Sequence, residues 1–173
     1  MCHHADMKTA LQLPESSLDE GERQFLKAIR EHGWFCTRVF DGEGNEPDFS
    51  YSTGFLESHN FPEIIVFSLP KEVSHSVLWD LWRDIEASKK PPVGKRIIGI
   101  FGNADAVLLP VGKSAYAEHL GWNRWFYRGD NFECLQLIWP DREGRFPWED
   151  DFDKDFEGKQ PDLTEGGWRS HPV

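Results

Sequence analysis

Apolar positions near the start of the chain repeat at helical spacing. The repeat consists of Leu18, Phe25, Leu26 and Ile29. Residues three to four apart lie on one face of a helix, so these side chains would face a core. Ser17 and Glu20 have the spacing of a capping box, and Gly33 suits a helix C-terminus. These signals predict a helix over residues 17–32.

The segments after this helix are rich in the β-branched and aromatic residues that favour strands. We predict strands at 34–40, 49–54, 63–69, 96–101, 106–111 and 133–139. Turns rich in Gly, Asn and Pro separate several of these strands. Short turns join neighbouring strands in antiparallel pairs, so the sheet is predicted to be mostly antiparallel.

A second long helix is predicted to begin at Pro70, because proline suits the first helical position. Its apolar face consists of Val73, Val77, Leu78, Leu81, Trp82 and Ile85. Trp148, Phe152 and Phe156 recur four residues apart, which predicts a further apolar helical stripe. The elements together predict an α+β fold, with one mostly antiparallel, curved sheet of about six strands and two main helices packed on it.

The length of the chain bears on its domain organisation. A chain of 173 residues is typical of one domain and can bury a sizeable core. We predict a flexible lead-in over 1–14, a single α+β domain over 15–161 and a tail over 162–173.

Hydropathy and cysteine usage indicate a cellular compartment. No apolar run approaches the roughly 18 residues that a membrane-spanning helix needs. The start, Met1–Asp6, lacks the basic and then apolar pattern of a signal peptide. The widely spaced Cys2, Cys36 and Cys134 fit reduced thiols, and the last two lie in strand-like segments as small core residues. We therefore expect a cytoplasmic protein without a membrane partner.

The net charge of −11 disfavours nucleic acid as a partner, because phosphate binding needs a basic surface. The charge is unevenly distributed. Residues 141–165 contain ten acidic and four basic side chains, which gives that segment a net charge of −6. An acidic surface serves solubility, or it matches a basic protein partner and steers its approach.

Motifs for catalysis or cofactor binding are weak. The Cys2-His3-His4 start offers soft ligands, but no second cluster completes a tetrahedral site, so we predict no metal site and no cofactor. No phosphate-binding loop and no nucleophile elbow occurs. Ser52, His59 and Asp141 supply the residue types of a hydrolytic triad, which only geometry can recognise.

Aromatic and charged residues that are interleaved along the chain are the better candidates for binding. Such residues form hot spots because they bury much area and stack or pair with a ligand. The candidate ligand- or partner-binding residues are Tyr51, Ser52, His59, Trp125, Tyr127, Gln136, Trp139, Asp141, Arg142, Arg145, Trp148 and Glu149. The same composition also suits a loop whose arginines, carboxylates and rings satisfy one another and only stabilise the fold.

Several motifs in this order resemble one protein family. They are Gly33-Trp34, Phe49-x-Tyr51-Ser52-x-Gly54, Pro62-Glu63-x-x-Val66-Phe67-x-Leu69-Pro70, Trp125-Phe126-Tyr127, and the run from Gln136-Leu137 through Trp139-Pro140-Asp141 to Phe146-Pro147-Trp148-Glu149. The chain resembles the bacterial family catalogued as domain of unknown function 4262 over roughly residues 33–161. The resemblance implies a small cytoplasmic α+β domain and carries no activity. Members commonly have histidine where this chain has Phe61, and often a second cysteine where it has Ala5.

Three functional hypotheses remain open at this point. The leading one is a non-enzymatic protein-binding module for a basic partner, for example an immunity-like protein that neutralises an effector. The alternative is a small-ligand-binding domain or hydrolase, with a pocket between the Tyr51-Ser52 hairpin and the loop Trp139–Glu149. The third is that this loop is a structural clasp, in which case Trp139→Ala lowers stability without affecting binding.

Overall fold

The computed structural model describes residues 9–173 and contains one six-stranded sheet. The strands are β1 (Phe35–Val39), β2 (Phe49–Thr53), β3 (Glu63–Phe67), β4 (Arg96–Ile97), β5 (Ala106–Pro110) and β6 (Cys134–Ile138). Their order across the sheet is β1-β2-β3-β6-β5-β4. β3 and β6 are parallel, and the other neighbouring pairs are antiparallel. The prediction of an α+β fold with a mostly antiparallel sheet is confirmed.

Five α-helices accompany the sheet in the described part of the chain. They are α1 (Glu20–His32), α2 (Phe55–His59), α3 (Lys71–Glu86), α4 (Tyr116–His119) and α5 (Gly121–Phe126). α1 and α3 are the two long ones, as predicted. None of the helices in residues 9–173 combines the length and the apolar character that crossing a membrane requires.

The sheet is covered on both faces. α3 packs Val77, Leu78 and Leu81 against one face, where they meet the buried Ile64 and Leu137 of the two central strands. On the opposite face, residues of α1, α4 and α5 form a second cluster, which includes Phe25, Tyr116 and Phe126. Every residue of β3 and β6 is buried. Apart from Glu63 and Gln136 these residues are apolar, as is typical of strands covered on both faces.

The start of α1 differs from the prediction. Ser17 lies in a short 3-10 turn, and the capping box is formed by Asp19 and Glu22 instead. Each of these two side chains accepts a hydrogen bond from the backbone N–H of the other. Asp19 also caps well because its carboxylate suits the positive end of the helix dipole. At the other end, Gly33 adopts the predicted left-handed C-cap conformation, with φ of 85°.

Three further local predictions were wrong. The strand predicted at 96–101 ends at Ile97, and the next residue, Ile98, is 86% exposed in a turn. Val73 belongs to α3 but is exposed, so it is not part of the buried face. Trp148, Phe152 and Phe156 form no helical stripe: Trp148 stacks on Phe146, and Phe156 packs edge-on against Trp139. The two rings serve different clusters because the chain turns repeatedly between them.

Packing continues outside the range 15–161. Ala10 is fully buried in the cluster on the α1 side of the sheet. Thr164 is buried and forms an isolated antiparallel bridge with Val111, the residue that follows β5. Trp168 packs against Trp148, so the C-terminal residues are part of the folded structure.

Candidate functional site

Most of the candidate residues fall into three groups, which are distinguished by their place in the fold. One group surrounds the segment that we call the signature loop, residues 139–149. A second surrounds the buried carboxylate of Glu63. The third lines a surface groove beside β1.

Asp141 organises the signature loop from within. Its Oδ1 accepts hydrogen bonds from the N–H groups of Glu143 and Arg145, both at 2.9 Å. Its Oδ2 accepts from the N–H of Asp153 at 2.9 Å and from Nε of Arg145 at 3.3 Å. Burial acts to raise the pKa of Asp141, but the backbone hydrogen bonds from Arg145, Asp153 and Glu143 outweigh it and hold the pKa below its ordinary value. The side chain of Asp141 is fully buried, so it offers nothing to a ligand.

Two glutamines attach the chain after the loop to the sheet. Gln136 in β6 donates from Nε2 to the carbonyl of Pro161 at 2.7 Å, and its Oε1 accepts from the N–H of Leu163 at 3.0 Å. Gln160 forms the second attachment. Its side-chain amide makes two hydrogen bonds, one with the backbone N–H and one with the C=O of Trp139. Both side-chain amides are therefore paired at both ends, as buried polar groups require.

The rings and charges of the loop also contact the protein itself. The indole Nε1 of Trp139 donates to the carbonyl of Phe67 at 2.8 Å. Trp148 stacks on Phe146 with ring centroids 5.0 Å apart. Glu149 accepts from the N–H of Phe146 at 2.6 Å.

Arg142, like the neighbouring Glu143, is exposed. Its guanidinium lies 5.4 Å from the ring centroid of Phe156. Asp141, Arg145 and Glu149 make hydrogen bonds within the loop or with Asp153, which is the arrangement expected of a structural clasp.

Glu63 is the centre of the second group, and it is fully buried. Its carboxylate accepts from the N–H of Gly54 at 2.9 Å and from that of Leu56 at 3.0 Å. Two hydroxyls also donate to it, Oγ of Ser52 at 3.0 Å and the Tyr127 hydroxyl at 3.1 Å. Burial raises the pKa of Glu63 to about 7, against the opposing effect of these hydrogen bonds.

Gly54 makes this arrangement possible. Its φ of 122° belongs to a region that side chains rarely adopt, and a Cβ there would lie 2.7 Å from Cα of Trp34. The turn that Gly54 forms points the N–H groups at the start of α2 toward the carboxylate of Glu63. Ser52 and Tyr127, both predicted to bind a ligand or partner, instead hold this internal carboxylate. His59 lies at the end of α2 with its ring 4.6 Å from Trp82.

The residue types of a hydrolytic triad have separate partners. Oγ of Ser52 donates to Glu63 and accepts from the N–H of Ile64. The carboxylate of Asp141 is held within the signature loop, and His59 packs on Trp82. Burial raises the pKa of Cys36 to about 11 and also raises that of Cys134, so neither thiol is ionised at neutral pH.

Within residues 9–173, no group of three or more His, Cys, Asp or Glu residues is arranged to hold a metal ion. The Cys2-His3-His4 start lies outside the described residues.

The third group lines an open groove of about 670 Å³, which we call the β1 groove. Its aromatic lining consists of Phe40, Phe49, Tyr51, Trp122 and Trp125. Its charged and titratable lining consists of Asp19, Glu22, Arg38, Glu118 and His119. Of the predicted binding residues, Tyr51 and Trp125 are found here, and no residue of the signature loop lines the groove. The groove that contains Tyr51 is therefore not the predicted pocket between Tyr51-Ser52 and the signature loop.

Apolar side chains at the β1 groove are exposed to solvent. Phe40 is 69% exposed and Val39 is 37% exposed at the end of β1. Thr37 is 9% exposed, and its hydroxyl oxygen is shielded from solvent, so it offers no contact to a ligand. The guanidinium of Arg38 contacts Asp48, Oγ of Ser50 and the carbonyl of Leu69.

The sequence interpretation missed both the groove and Glu63. The walls of the groove come from α1, β1, β2 and α4–α5, which are far apart in sequence and lack a common motif. Glu63 did have a signal, since an acidic residue that opens a fully apolar strand must find buried donors or pay for its desolvation.

With this geometry established, the chain can be compared with known families. The model of the family described as Domain of unknown function (DUF4262) matches residues 28–153. The chain belongs to this family. The DUF4262 match begins within α1 and ends after the signature loop, so it includes Gly54, Glu63 and Asp141. It leaves out Asp19 and Glu22 on the rim of the groove, and Gln160 at the clasp. No curated protein and no solved structure matches the chain.

Proposed function

We propose that this DUF4262 protein is a non-enzymatic protein-binding module, and that the β1 groove is its docking surface for a basic partner. The observation that carries the proposal is the contrast in hydrogen bonding between the two aromatic regions. In the signature loop, the carboxylates of Asp141 and Glu149 accept hydrogen bonds from the loop's own backbone, whereas the groove presents rings and carboxylates to solvent. Recognition surfaces commonly consist of aromatic anchors with a polar rim.

The position of the groove supports docking of a polypeptide segment. β1 forms one edge of the sheet, and among residues 9–173 no strand pairs with its outer side. An open edge can accept an extended segment by backbone hydrogen bonding. Phe40 and Val39 lie at the end of this edge, where a segment on the edge would contact the groove.

Charge supports a basic partner. The rim contributes Asp19, Glu22 and Glu118, and the charge of Arg38 is paired with Asp48 at 3.3 Å. The chain as a whole has a net charge of −11, which would steer a basic protein toward it. An immunity-like role, in which the module neutralises a basic effector, is the biological form of this proposal that fits the charge. The free thiols of Cys36 and Cys134 support a reducing, cytoplasmic setting.

The alternative of a small ligand or hydrolysis has less support. The polar groups that would converge in a pocket between Tyr51-Ser52 and the signature loop are Gln136, Asp141 and Arg145. Gln136 and Asp141 are occupied by backbone partners, and Arg145 by Asp141. Ser52 is committed to Glu63 and Ile64.

Selection from a phage-displayed random peptide library tests the proposal. The full chain is compared with the double variant V39S/F40S in the groove and the matched control V93S/I98S, where Val93 and Ile98 are 45% and 86% exposed. We expect the natural chain and the control to enrich peptides with an apolar residue flanked by lysine or arginine, and V39S/F40S to lose them. The proposal fails if nothing is enriched, or if V39S/F40S enriches the same peptides.

A protein partner is then sought by native mass spectrometry at low salt, in mixtures of the chain with basic proteins that contain an enriched sequence. Retention by the natural chain and by V93S/I98S, but not by V39S/F40S, is the expected result. Equal retention by all three chains would place the binding elsewhere.

A further inference from the structure

We infer that the corner formed by Trp122, Trp125 and the α1 capping carboxylates is a subsite for one lysine or arginine side chain of the docked segment. The inference rests on the proposed function and specifies what anchors the partner. It is carried by ring geometry, by the placement of two carboxylates and by charge.

The two tryptophans form two walls at a right angle. Their ring centroids are 5.4 Å apart and the planes are inclined by 88°. Phe25 stacks on Trp122 with centroids 4.5 Å apart and fixes that ring in place. Tyr51 adds a second support, because its hydroxyl accepts the backbone N–H of Trp122 at 3.1 Å. Both tryptophans line the groove and are partly exposed. The negative π-faces of such rings attract a cation.

The capping box places carboxylates beside this corner. Glu22 lies three residues before Phe25 on α1, so the two occupy the same side of the helix. Asp19 Oδ1 and Glu22 Oε1 accept the reciprocal N–H groups of the cap. The second oxygen of each carboxylate has no hydrogen-bond partner among residues 9–173 and remains available to a cation.

Two properties of the groove favour a basic side chain over other occupants. The unpaired charges on its rim are negative, which disfavours acidic or phosphorylated segments. The long apolar stems of lysine and arginine suit an aromatic channel whose end is charged.

The capping box allows a test in which the fold is retained. Asparagine caps a helix as well as aspartate does, and glutamine replaces glutamate in the capping box. D19N/E22Q therefore removes the two negative charges and keeps the cap. D84N/E86Q, on the exposed side of α3, changes the net charge equally away from the groove. Circular dichroism should show the same helix content in all three chains.

Binding is measured by fluorescence anisotropy with labelled, end-blocked peptides of sequence Gly-Lys-Phe-Lys-Gly and Gly-Arg-Phe-Arg-Gly. Their neutral counterpart carries norleucine in place of the basic residues. We expect the basic peptides to bind the natural chain about tenfold more tightly than the norleucine peptide. D19N/E22Q should remove about that tenfold preference, and D84N/E86Q should leave most of it intact.

The outcomes separate this subsite from the proposed function. If all peptides bind equally and V39S/F40S abolishes their binding, the groove docks a segment but the basic subsite is wrong. If D84N/E86Q weakens binding as much as D19N/E22Q, the preference is due to the overall field of the protein, and the subsite is again wrong. If no peptide binds any of the chains, the subsite and the docking groove both fail.

Discussion

The signature loop and the β1 groove have similar composition but differ in what their side chains contact. Both place aromatic rings beside charged residues. In the loop, Asp141 accepts four hydrogen bonds from its own segment and from Asp153. In the groove, Phe40 is mostly exposed, and the carboxylates of Asp19 and Glu22 each keep one oxygen without a hydrogen-bond partner in the described part of the chain. Two regions of similar composition can therefore differ in how far their polar groups are satisfied within the fold.

The largest expected effect is that of Trp139→Ala on stability. Trp139 is 7% exposed, packs on Phe156 and donates its indole N–H to Phe67. Removing such a ring costs about 3–5 kcal/mol of unfolding free energy. Urea denaturation measures the loss, and Trp139→Phe, which keeps most of the packing, should lose less. A loss near zero, or loss of peptide binding by a chain that is still folded, would show that the loop is not a clasp.

Glu63 should make the stability depend on pH. The pKa of Glu63 is about 7 in the folded protein and has its ordinary value of 4.5 in the unfolded chain, so folding favours the protonated form. Its contribution is complete below pH 4.5 and is lost as the pH rises through 7, a change of about 3 kcal/mol. The difference in urea midpoint between the natural chain and Glu63→Gln across this range isolates the effect. Parallel pH profiles for the two chains would contradict it.

Asp141→Asn should cause a smaller loss, about 2 kcal/mol, because an amide nitrogen must face one of the N–H donors now held by the carboxylate. The sign of the pH dependence is opposite to that of Glu63. The pKa of Asp141 lies below 3.8, so its contribution is present above that pH and is lost as the pH falls through the folded value. The difference in urea midpoint between the natural chain and Asp141→Asn should therefore be present at neutral pH and shrink at acid pH. A constant difference would mean that its charge is not what stabilises the loop.

The groove substitutions should have the smallest effect on stability. Val39 and Phe40 are exposed, so V39S/F40S should change the unfolding free energy by less than about 1 kcal/mol. Thermal melting with V93S/I98S as the control measures this. A large loss for V39S/F40S alone would show that Phe40 is needed for folding, and the groove would then resemble the loop.

The sequence predicted the elements better than it predicted their arrangement. The strands β3 and β6 were predicted from the sequence, and the apolar run of β3 is continuous from Ile64 to Phe67. Their parallel pairing was not foreseen, since it joins segments about 70 residues apart whose contact has no local signal. The cap of α1 was placed two residues early because Ser17 also fits the capping pattern, and a 3-10 turn occupies it instead.

The candidate site was predicted only in part for the same reason. Tyr51 and Trp125 were identified by type, but Glu22, Phe40 and Trp122 become neighbours only when α1, β1 and α5 pack together. The signature loop attracted most of the predicted residues because its aromatics and charges are adjacent in sequence. Sequence proximity allowed Asp141, Arg145 and Glu149 to form hydrogen bonds within the loop.

The most direct test of the contrast uses the tryptophans as reporters. The indole N–H signals of the ¹⁵N-labelled full chain are followed by NMR as a library-selected peptide is added, with assignment by single Trp→Phe substitutions. Trp122 and Trp125 report on the groove, and Trp139 and Trp148 report on the signature loop. We predict that the signals of Trp122 and Trp125 shift while those of Trp139 and Trp148 stay in place. If the signals of Trp139 and Trp148 shift while those of Trp122 and Trp125 stay in place, the account is contradicted and the signature loop is the binding surface.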